Sequence, residues 1–555
     1  MSRLCPSIHP PEDYLLPKDI TGFSGPHPKL KSNSRLLYVY VSIRCCLACR
    51  CYNTATTTTK SLHVAQVSSA VGGSDNSESQ RKPLGDDFIM NLEELFSEIK
   101  SMISTGNRDD AVDLLEANFE VVREQMVVGS KTIKEAAVLD VIALGYMALG
   151  DLKMVKSILN MLNEIVRDLR DDESLLDSIL THMGSLNSAL GRFEDSTLLY
   201  KRVFEMLETN HGSNSTSLVM PLLGMGKALG SAGRATKAID VYHRTISILE
   251  SNLGAESKEL VVPLNALGNL LIEEGKAEDA ESAFMRIVGI YTKLYGKDDE
   301  RVGMAMCALA NAKCAKGDAE AAINLYRSAI QNLEHSENTN LDDSILEKTR
   351  IDLAELLHAV GREKEGRQLL EECLSITKKF KGENDPSFIT HLINLATSYS
   401  RSKNYVEAER LLRSSLQIMN KSVGPDDPSI TFAMLQLAVT LYNLKKDEEA
   451  EQLALEVLRV REKAFGTASV PVGEALDCLI CIQKRLGRDD GEILELLKRN
   501  LSIQEKAFGD ESEQVIGTLK KIVFYMDKLG IKDQKFPFQR RLSFLRNKFK
   551  EQVQY

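Results

Sequence analysis

An all-α solenoid of about eleven helix–turn–helix hairpins is the fold that the sequence predicts for most of this 555-residue chain. Aromatic residues make up only 6% of the chain and Trp is absent, which favours helices over β-sandwiches and barrels. A turn residue also recurs every 41 to 44 residues, each time between two segments whose apolar residues have helical spacing. A repeated helical hairpin accounts for both observations.

Glycine occupies nine of the eleven turn positions, and Lys403 and Lys445 occupy the other two. The nine glycines are Gly106, Gly150, Gly191, Gly233, Gly275, Gly317, Gly361, Gly487 and Gly530. Glycine readily adopts the left-handed conformation that ends a helix, so we expect the first helix of each hairpin to end there. Small residues recur seven residues before the turn and five after it, as in Gly226 and Ala238, where we expect the two helices to cross.

Each hairpin also carries an apolar face, for example Leu264, Leu267 and Leu271 in one first helix, followed by Phe284 and Ile287 in the second. A single hairpin cannot bury such a face, whereas neighbouring hairpins bury it when they stack. The pattern predicts a solenoid over residues 88–530.

The small residue, the turn glycine and the second small residue of each hairpin resemble the tetratricopeptide repeat pattern. The 42-residue period and a second glycine about 21 residues after the turn, as at Gly296 and Gly424, are similar to the subtype found in kinesin light chains and nephrocystin-like proteins. The resemblance covers about residues 88–550. It implies a right-handed superhelix whose first helices line the concave side, and a protein-binding scaffold rather than an enzyme.

The amino-terminal residues have a different composition. Residues 1–86 contain ten Lys/Arg and six Asp/Glu, whereas the remainder contains 59 and 73. No acidic residue lies between Ile20 and Ser74, and hydroxyl residues are frequent. This pattern resembles an organelle transit peptide of plastid length. We therefore predict a disordered transit peptide over residues 1–73, a polar linker over 74–87 and a chloroplast location, with mitochondrion and cytoplasm as alternatives.

Patterns typical of catalysis, cofactor binding and membrane insertion are missing from the sequence. The nine His residues are scattered, no His-Glu-x-x-His motif occurs, and no uncharged apolar run reaches 18 residues. We predict no enzyme activity, no cofactor, no metal site and no transmembrane segment. The acidic repeat region argues against nucleic acid as a partner. An organellar RNA-associated helical-repeat protein and a cytosolic kinesin- or microtubule-associated adaptor are the alternatives to a scaffold.

The resemblance also implies which residues bind a partner. Polar residues ten, nine, six and two positions before each turn would face the concave groove, where amides can hydrogen-bond the backbone of an extended peptide. The predicted groove residues are Lys227, Asn265, Asn269, Asn311, Glu355, Asn394, Thr397 and Arg401. The clamp by which some tetratricopeptide proteins hold chaperone C-termini is incomplete here, because Ala308 and Asp352 stand at matching places. A chaperone partner is therefore not predicted.

The carboxyl-terminal segment, residues 531–555, contains seven Lys/Arg and two acidic residues together with several Phe residues. We predict a basic helix that completes the last hairpin and caps the solenoid with a polar outer face. A basic amphipathic helix could alternatively contact a membrane surface or calmodulin.

Overall fold

The computed structural model describes residues 86–129, 131–335 and 344–553, and these residues form helices without any β-strand. The predicted all-α repeat fold is confirmed. The predicted transit peptide and residues 74–85 of the predicted linker lie outside the described residues. Asp86 and Asp87, which the sequence assigned to the linker, already belong to the first helix.

The helices form two compact units, one ending at Tyr295 and one beginning at Gly296. The first unit contains ten α-helices, which we number α1 to α10. They are α1 Asp86–Thr105, α2 Arg108–Val127, α3 Ile133–Leu149, α4 Leu152–Asp168, α5 Leu176–Ala189, α6 Phe193–His211, α7 Val219–Ser231, α8 Ala235–Leu253, α9 Val261–Glu273 and α10 Ala277–Tyr295. Short 3₁₀ turns, Thr216–Leu218 and Lys258–Leu260, precede α7 and α9.

The second unit contains twelve α-helices and one further 3₁₀ turn, Pro428–Ile430. They are α11 Glu300–Lys316, α12 Ala319–Glu334, α13 Ser344–Ala359, α14 Glu363–Phe380, α15 Pro386–Arg401, α16 Tyr405–Ser422, α17 Thr431–Asn443, α18 Asp447–Phe465, α19 Val470–Leu486, α20 Asp490–Phe508, α21 Glu513–Lys528 and α22 Lys532–Val553. Within each unit every helix packs against the next one along the chain. None of the described helices is long and apolar enough to cross a membrane.

The turn of each hairpin has a left-handed backbone. All eleven turn residues have a positive φ, between 60° and 90°. The backbone amide of Gly150, for example, donates a hydrogen bond to the carbonyl of Met147 and so satisfies an acceptor at the end of α3. The two lysines at turns adopt the same conformation, with φ of 60° at Lys403 and 61° at Lys445.

In three hairpins of the first unit, the glycine seven positions before the turn (Gly184, Gly226 or Gly268) makes room for an aromatic ring of the second helix. A Cβ atom on Gly268 would lie 2.5 Å from Cζ of Phe284, and one on Gly226 would lie 2.7 Å from Cε1 of Tyr242. At these glycines a ring fills the expected crossing, and a larger residue would overpack it. Five residues after a turn the backbones approach closely, since a Cβ atom on Gly366 would lie 2.8 Å from the carbonyl oxygen of Ala354.

Successive hairpins are joined by buried polar contacts as well as by apolar ones. Arg461 of α18 is 4% exposed and donates hydrogen bonds to the carbonyl of Pro471 at 2.6 Å and to Glu474 of α19 at 2.9 Å. Glu451 of α18 accepts hydrogen bonds from Gln483 at 3.2 Å and from Arg488 at 2.6 Å. These pairs fix α19 against α18, because a buried charge that loses its partner is costly.

The predicted carboxyl-terminal helix is α22, and it packs against α21. It buries Leu542 and Leu545, and Lys548 forms an ion pair with Glu511 at 2.6 Å. Its outer side is less polar than predicted for a cap, since Phe536 and Phe544 are 74% and 61% exposed.

Replacement of Lys445 by Gly should stabilise the α17–α18 hairpin by about 1 kcal/mol, because glycine adopts the left-handed conformation without the steric cost of a Cβ atom. Hydrogen exchange of the α17 and α18 amides should show slower local opening. Lys446→Gly is the matched control: Lys446 has a φ of −94° and bonds Glu409 at 2.7 Å, so this change should destabilise the hairpin. Equal effects of the two changes would contradict the role of the left-handed turn.

Candidate functional site

The predicted groove residues all lie on first helices of their hairpins. They are Lys227 on α7, Asn265 and Asn269 on α9, Asn311 on α11, Glu355 on α13, and Asn394, Thr397 and Arg401 on α15. Five of these residues share one position, six residues before the turn, and they are Lys227, Asn269, Asn311, Glu355 and Thr397. A polar side chain thus recurs once per hairpin along five successive first helices.

In the first unit, Asn265 and Asn269 are exposed and lie one helical turn apart on α9. Neither amide side chain has a hydrogen-bond partner among the described residues. Leu264 and Leu267 on the same helix are buried, so the core and polar sides of α9 are distinct. Lys227 on α7 is half-buried. The two amides can therefore bond an external donor or acceptor without breaking an internal contact.

Asn311 differs from the other two asparagines. It belongs to the second unit, and its Oδ1 atom accepts a hydrogen bond at 2.6 Å from the hydroxyl of Tyr326 on α12. Burial raises the pKa of Tyr326, which keeps the phenol protonated as the donor. Asn311 thus belongs to the same unit as α13 and α15, whereas Asn265 and Asn269 do not. Its Oδ1 atom is already used in a hydrogen bond within its own hairpin.

Charged groups gather on α13 and α15 in what we call the α13/α15 polar face, defined by Asp352, Glu355, His358 and Arg401. Asp352, Glu355 and His358 follow one another at three-residue spacing on α13, and Arg401 of α15 lies close enough to act on His358 electrostatically. Glu355 and Arg401 are exposed and have no ion-pair partner among the described residues. Both signs of charge are available on this face.

Burial shifts the pKa values of Asp352 and His358 in opposite directions. Burial raises the pKa of Asp352 to about 6, an effect that Glu355 reinforces and Lys348 opposes. Burial lowers the pKa of His358 to about 4, and the nearby positive charges of Arg401 and Arg367 lower it further. His358 is therefore neutral at physiological pH, and neither of its ring nitrogens has a hydrogen-bond partner in the described residues.

The other two predicted residues of α15 have less freedom to bind. The hydroxyl of Thr397 donates to the carbonyl of Ile393 in the same helix at 2.9 Å. Asn394 and Thr397 are both half-buried, whereas Arg401 is exposed. Of the three residues on α15, Arg401 is the one most available to a ligand.

His358 was not among the residues predicted from the sequence, although a signal for it exists. The residue five positions after the turn of this hairpin is Gly366 instead of the usual Ala, and a Cβ there would lie 3.0 Å from Cε1 of His358. The glycine thus makes room for the imidazole ring. Beside it, the guanidinium of Arg367 lies 4.4 Å from the centre of the Tyr399 ring.

Metal-binding and nucleophilic groups are poorly represented in the described residues. No group of three or more His, Cys, Asp or Glu side chains there is arranged to hold a metal ion. The five cysteines that the structure describes are free thiols. Burial raises the pKa of Cys373 to about 12 and also raises that of Cys478, which disfavours the reactive thiolate.

Residues 259–335, 346–420 and 387–463 match the family model of the tetratricopeptide repeat. This part of the chain consists of tetratricopeptide repeats. The matched segments include α9 to α12, most of α13, α14 to α17 and most of α18. They contain seven of the eight predicted groove residues, and Lys227 lies outside them. No curated protein sequence matches the chain.

Several solved structures are similar to parts of the chain. Kinesin light chain TPR-like repeats from Podosopora anserina are 19% identical, with 37% of this chain and 97% of that chain covered and a TM-score of 0.35. BtubC (BKLC) from P. vanneervenii is 18% identical, with 45% and 92% covered and a TM-score of 0.34. The quorum sensor NprR from B. thuringiensis is 14% identical, with 67% and 99% covered and a TM-score of 0.40. Similarity at this level does not indicate what the chain binds.

Arg401→Gln should raise the pKa of His358 from about 4 toward 6.5, because the change removes a positive charge that opposes protonation. The unfolded chain protonates this histidine near pH 6.5, whereas the folded chain does not, so stability falls as the pH falls from about 6.5 to 4. The variant should lose less stability over that range. NMR titration of the imidazole, assigned with His358→Gln, measures the pKa.

Arg410→Gln provides the control for this titration, because Arg410 is an exposed residue of α16 that pairs with Glu407. It should leave the pKa of His358 unchanged. An unperturbed His358 pKa in the wild-type protein would contradict the described burial.

Proposed function

We propose that this chain is a non-catalytic scaffold that binds a partner protein through the polar residues of its first helices. Tetratricopeptide repeats are typical of protein-interaction scaffolds. The single observation that supports this use most directly is the polar side chain six residues before the turn, which recurs on α7, α9, α11, α13 and α15. Within each unit, such a series suits an extended ligand segment that contacts one hairpin after another.

The two units offer different chemistry for a ligand. On α9, the exposed amides of Asn265 and Asn269 both donate and accept hydrogen bonds, which suits the backbone of an extended segment. On the α13/α15 polar face, Glu355 can accept from a cationic side chain and Arg401 can pair with a carboxylate. The neutral His358 adds no charge to this face at physiological pH.

The proposed location is the chloroplast, and residues 1–73 support it through their lack of acidic residues after Ile20 and their frequent hydroxyl residues. Removal of these residues would leave every described helix intact, since α1 begins at Asp86. A cut after Phe88 would instead remove a side chain that packs against the core of the first unit.

The mature protein should accordingly begin between Ala65 and Asp86. N-terminal sequencing of the protein that accumulates in cells measures this directly, and recovery of an intact Ser2 would rule the proposal out. In parallel, a fluorescent fusion of the full chain should enter chloroplasts, whereas a fusion that starts at Ser74 should stay in the cytosol. Identical distributions of the two fusions would also contradict the targeting role.

Photo-crosslinking tests the proposed binding surface even while the partner is unidentified. A crosslinking residue at Asn269 or Glu355 should capture the same protein in the compartment where the chain resides. The matched controls are Ser282 on α10 and Gln368 on α14, which are exposed residues of second helices. Equal capture from first and second helices would contradict the assignment of the surface.

With that partner in hand, Glu355→Ala combined with Arg401→Ala should reduce its affinity about fivefold to a hundredfold. Each lost hydrogen bond costs about 0.5–1.5 kcal/mol net, and about 1.4 kcal/mol corresponds to one decade of affinity. Helicity by circular dichroism should not change, because both side chains are exposed. A folded double variant with wild-type affinity would remove the α13/α15 polar face from the site.

A further inference from the structure

The first and last hairpins of the described structure carry opposite charges. The segment Asp86–Val127, which contains α1 and α2, has eleven Asp/Glu and three Lys/Arg, a net charge of −8. The segment Glu513–Val553, which contains α21 and α22, has four Asp/Glu and ten Lys/Arg, a net charge of +6. Within the described residues, neither Glu93 on α1 nor Arg546 on α22 has an ion-pair partner. Surfaces with such opposite charge attract each other.

The outer side of α22 corresponds to the side on which another hairpin stacks elsewhere in the second unit. On α18, the residues six and sixteen positions after the turn are Glu451 and Arg461, and both bond to α19 or to the turn after it. The same positions on α22, counted from its own turn glycine, are Phe536 and Arg546. Both are exposed. This stacking side of α22 is therefore open in the described structure.

The helix α1 has suitable residues at the two positions through which α19 binds Arg461 of the preceding hairpin. Arg461 bonds Glu474 and the carbonyl of Pro471, which stand thirteen and sixteen residues before the turn of their hairpin. The same positions on α1, counted back from its own turn, are Glu93 and Met90. Met90 is 66% exposed. A helix of this sequence can thus present a carboxylate to an arginine in the register that α19 uses.

We infer that copies of this chain associate head to tail, with α1 of one copy stacked on α22 of another. Glu93 and Arg546 form an ion pair across the junction in the register of Glu474 and Arg461, and Met90 and Phe536 add apolar contact. Two α22 surfaces repel each other because both are positively charged, so like ends do not pair. The contact is heterologous, and a pair of copies keeps one free α1, on one copy, and one free α22, on the other, for further copies.

Sedimentation velocity of the full chain over a range of concentrations tests this inference. The average mass should rise with concentration and fall again at high salt, since salt screens the opposite charges. Arg546→Glu and Glu93→Arg should each weaken self-association by on the order of tenfold or more. Lys506→Glu is the charge-matched control on an exposed residue of α20, and it should leave the association unchanged.

The two weakened variants also test the proposed register. When Arg546→Glu and Glu93→Arg chains are mixed, every junction between unlike chains again joins opposite charges, so the mixture should associate more strongly than either variant alone. A wild-type chain that stays monomeric at every concentration would overturn the inference, as would a mixture that fails to recover association. So would a monomer that binds vesicles of phosphatidylserine and phosphatidylcholine through α22, because the open side would then serve a membrane.

Discussion

A helical hairpin of about forty residues has too little interior to bury its own apolar face, and the whole structure follows from that constraint. Every hairpin must stack on a neighbour, so its second helix needs one side for its own partner and another for the next hairpin. Arg461 and Glu451 show how specific that second side is, since both bond into the following hairpin. The surfaces available for other contacts are those that do not pack against a neighbouring hairpin.

The free surfaces account for the proposed activities. Within the part of the chain that the structure describes, the exposed residues Asn265, Asn269, Glu355 and Arg401 of the first helices form no hydrogen bond or ion pair that joins hairpins. Their chemistry can therefore vary, from the amides of the two asparagines to the charges of Glu355 and Arg401. The open stacking sides of α1 and α22 differ in kind, because they retain the register of an internal junction together with exposed apolar side chains such as Phe536. Ligand binding and self-association would therefore use separate parts of the chain.

Electrostatics at the α13/α15 polar face shows how burial sets the charge of a surface. Asp352 and His358 lie on one helix, yet burial pushes the pKa of the carboxyl up and that of the imidazole down. Both shifts favour the neutral form, which is the form that a partly desolvated environment stabilises. The exposed Glu355 and Arg401 are the groups left to present charge to a ligand.

The sequence by itself determined the hairpins. A left-handed turn residue and helical apolar spacing are local requirements, and each repeat shows both in its own residues. All eleven turns, including the lysines at 403 and 445, have the conformation that such a turn requires. Only the tertiary structure decided what surrounds each polar residue. The hydrogen bond from Tyr326 to Asn311 joins residues fifteen apart, and the ring of His358 fits over Gly366 from a different helix. The division at Tyr295 and Gly296 likewise has no marker in the repeat pattern. These features depend on contacts between side chains of different helices. The repeat period predicts the path of the backbone but not which side chains come into contact.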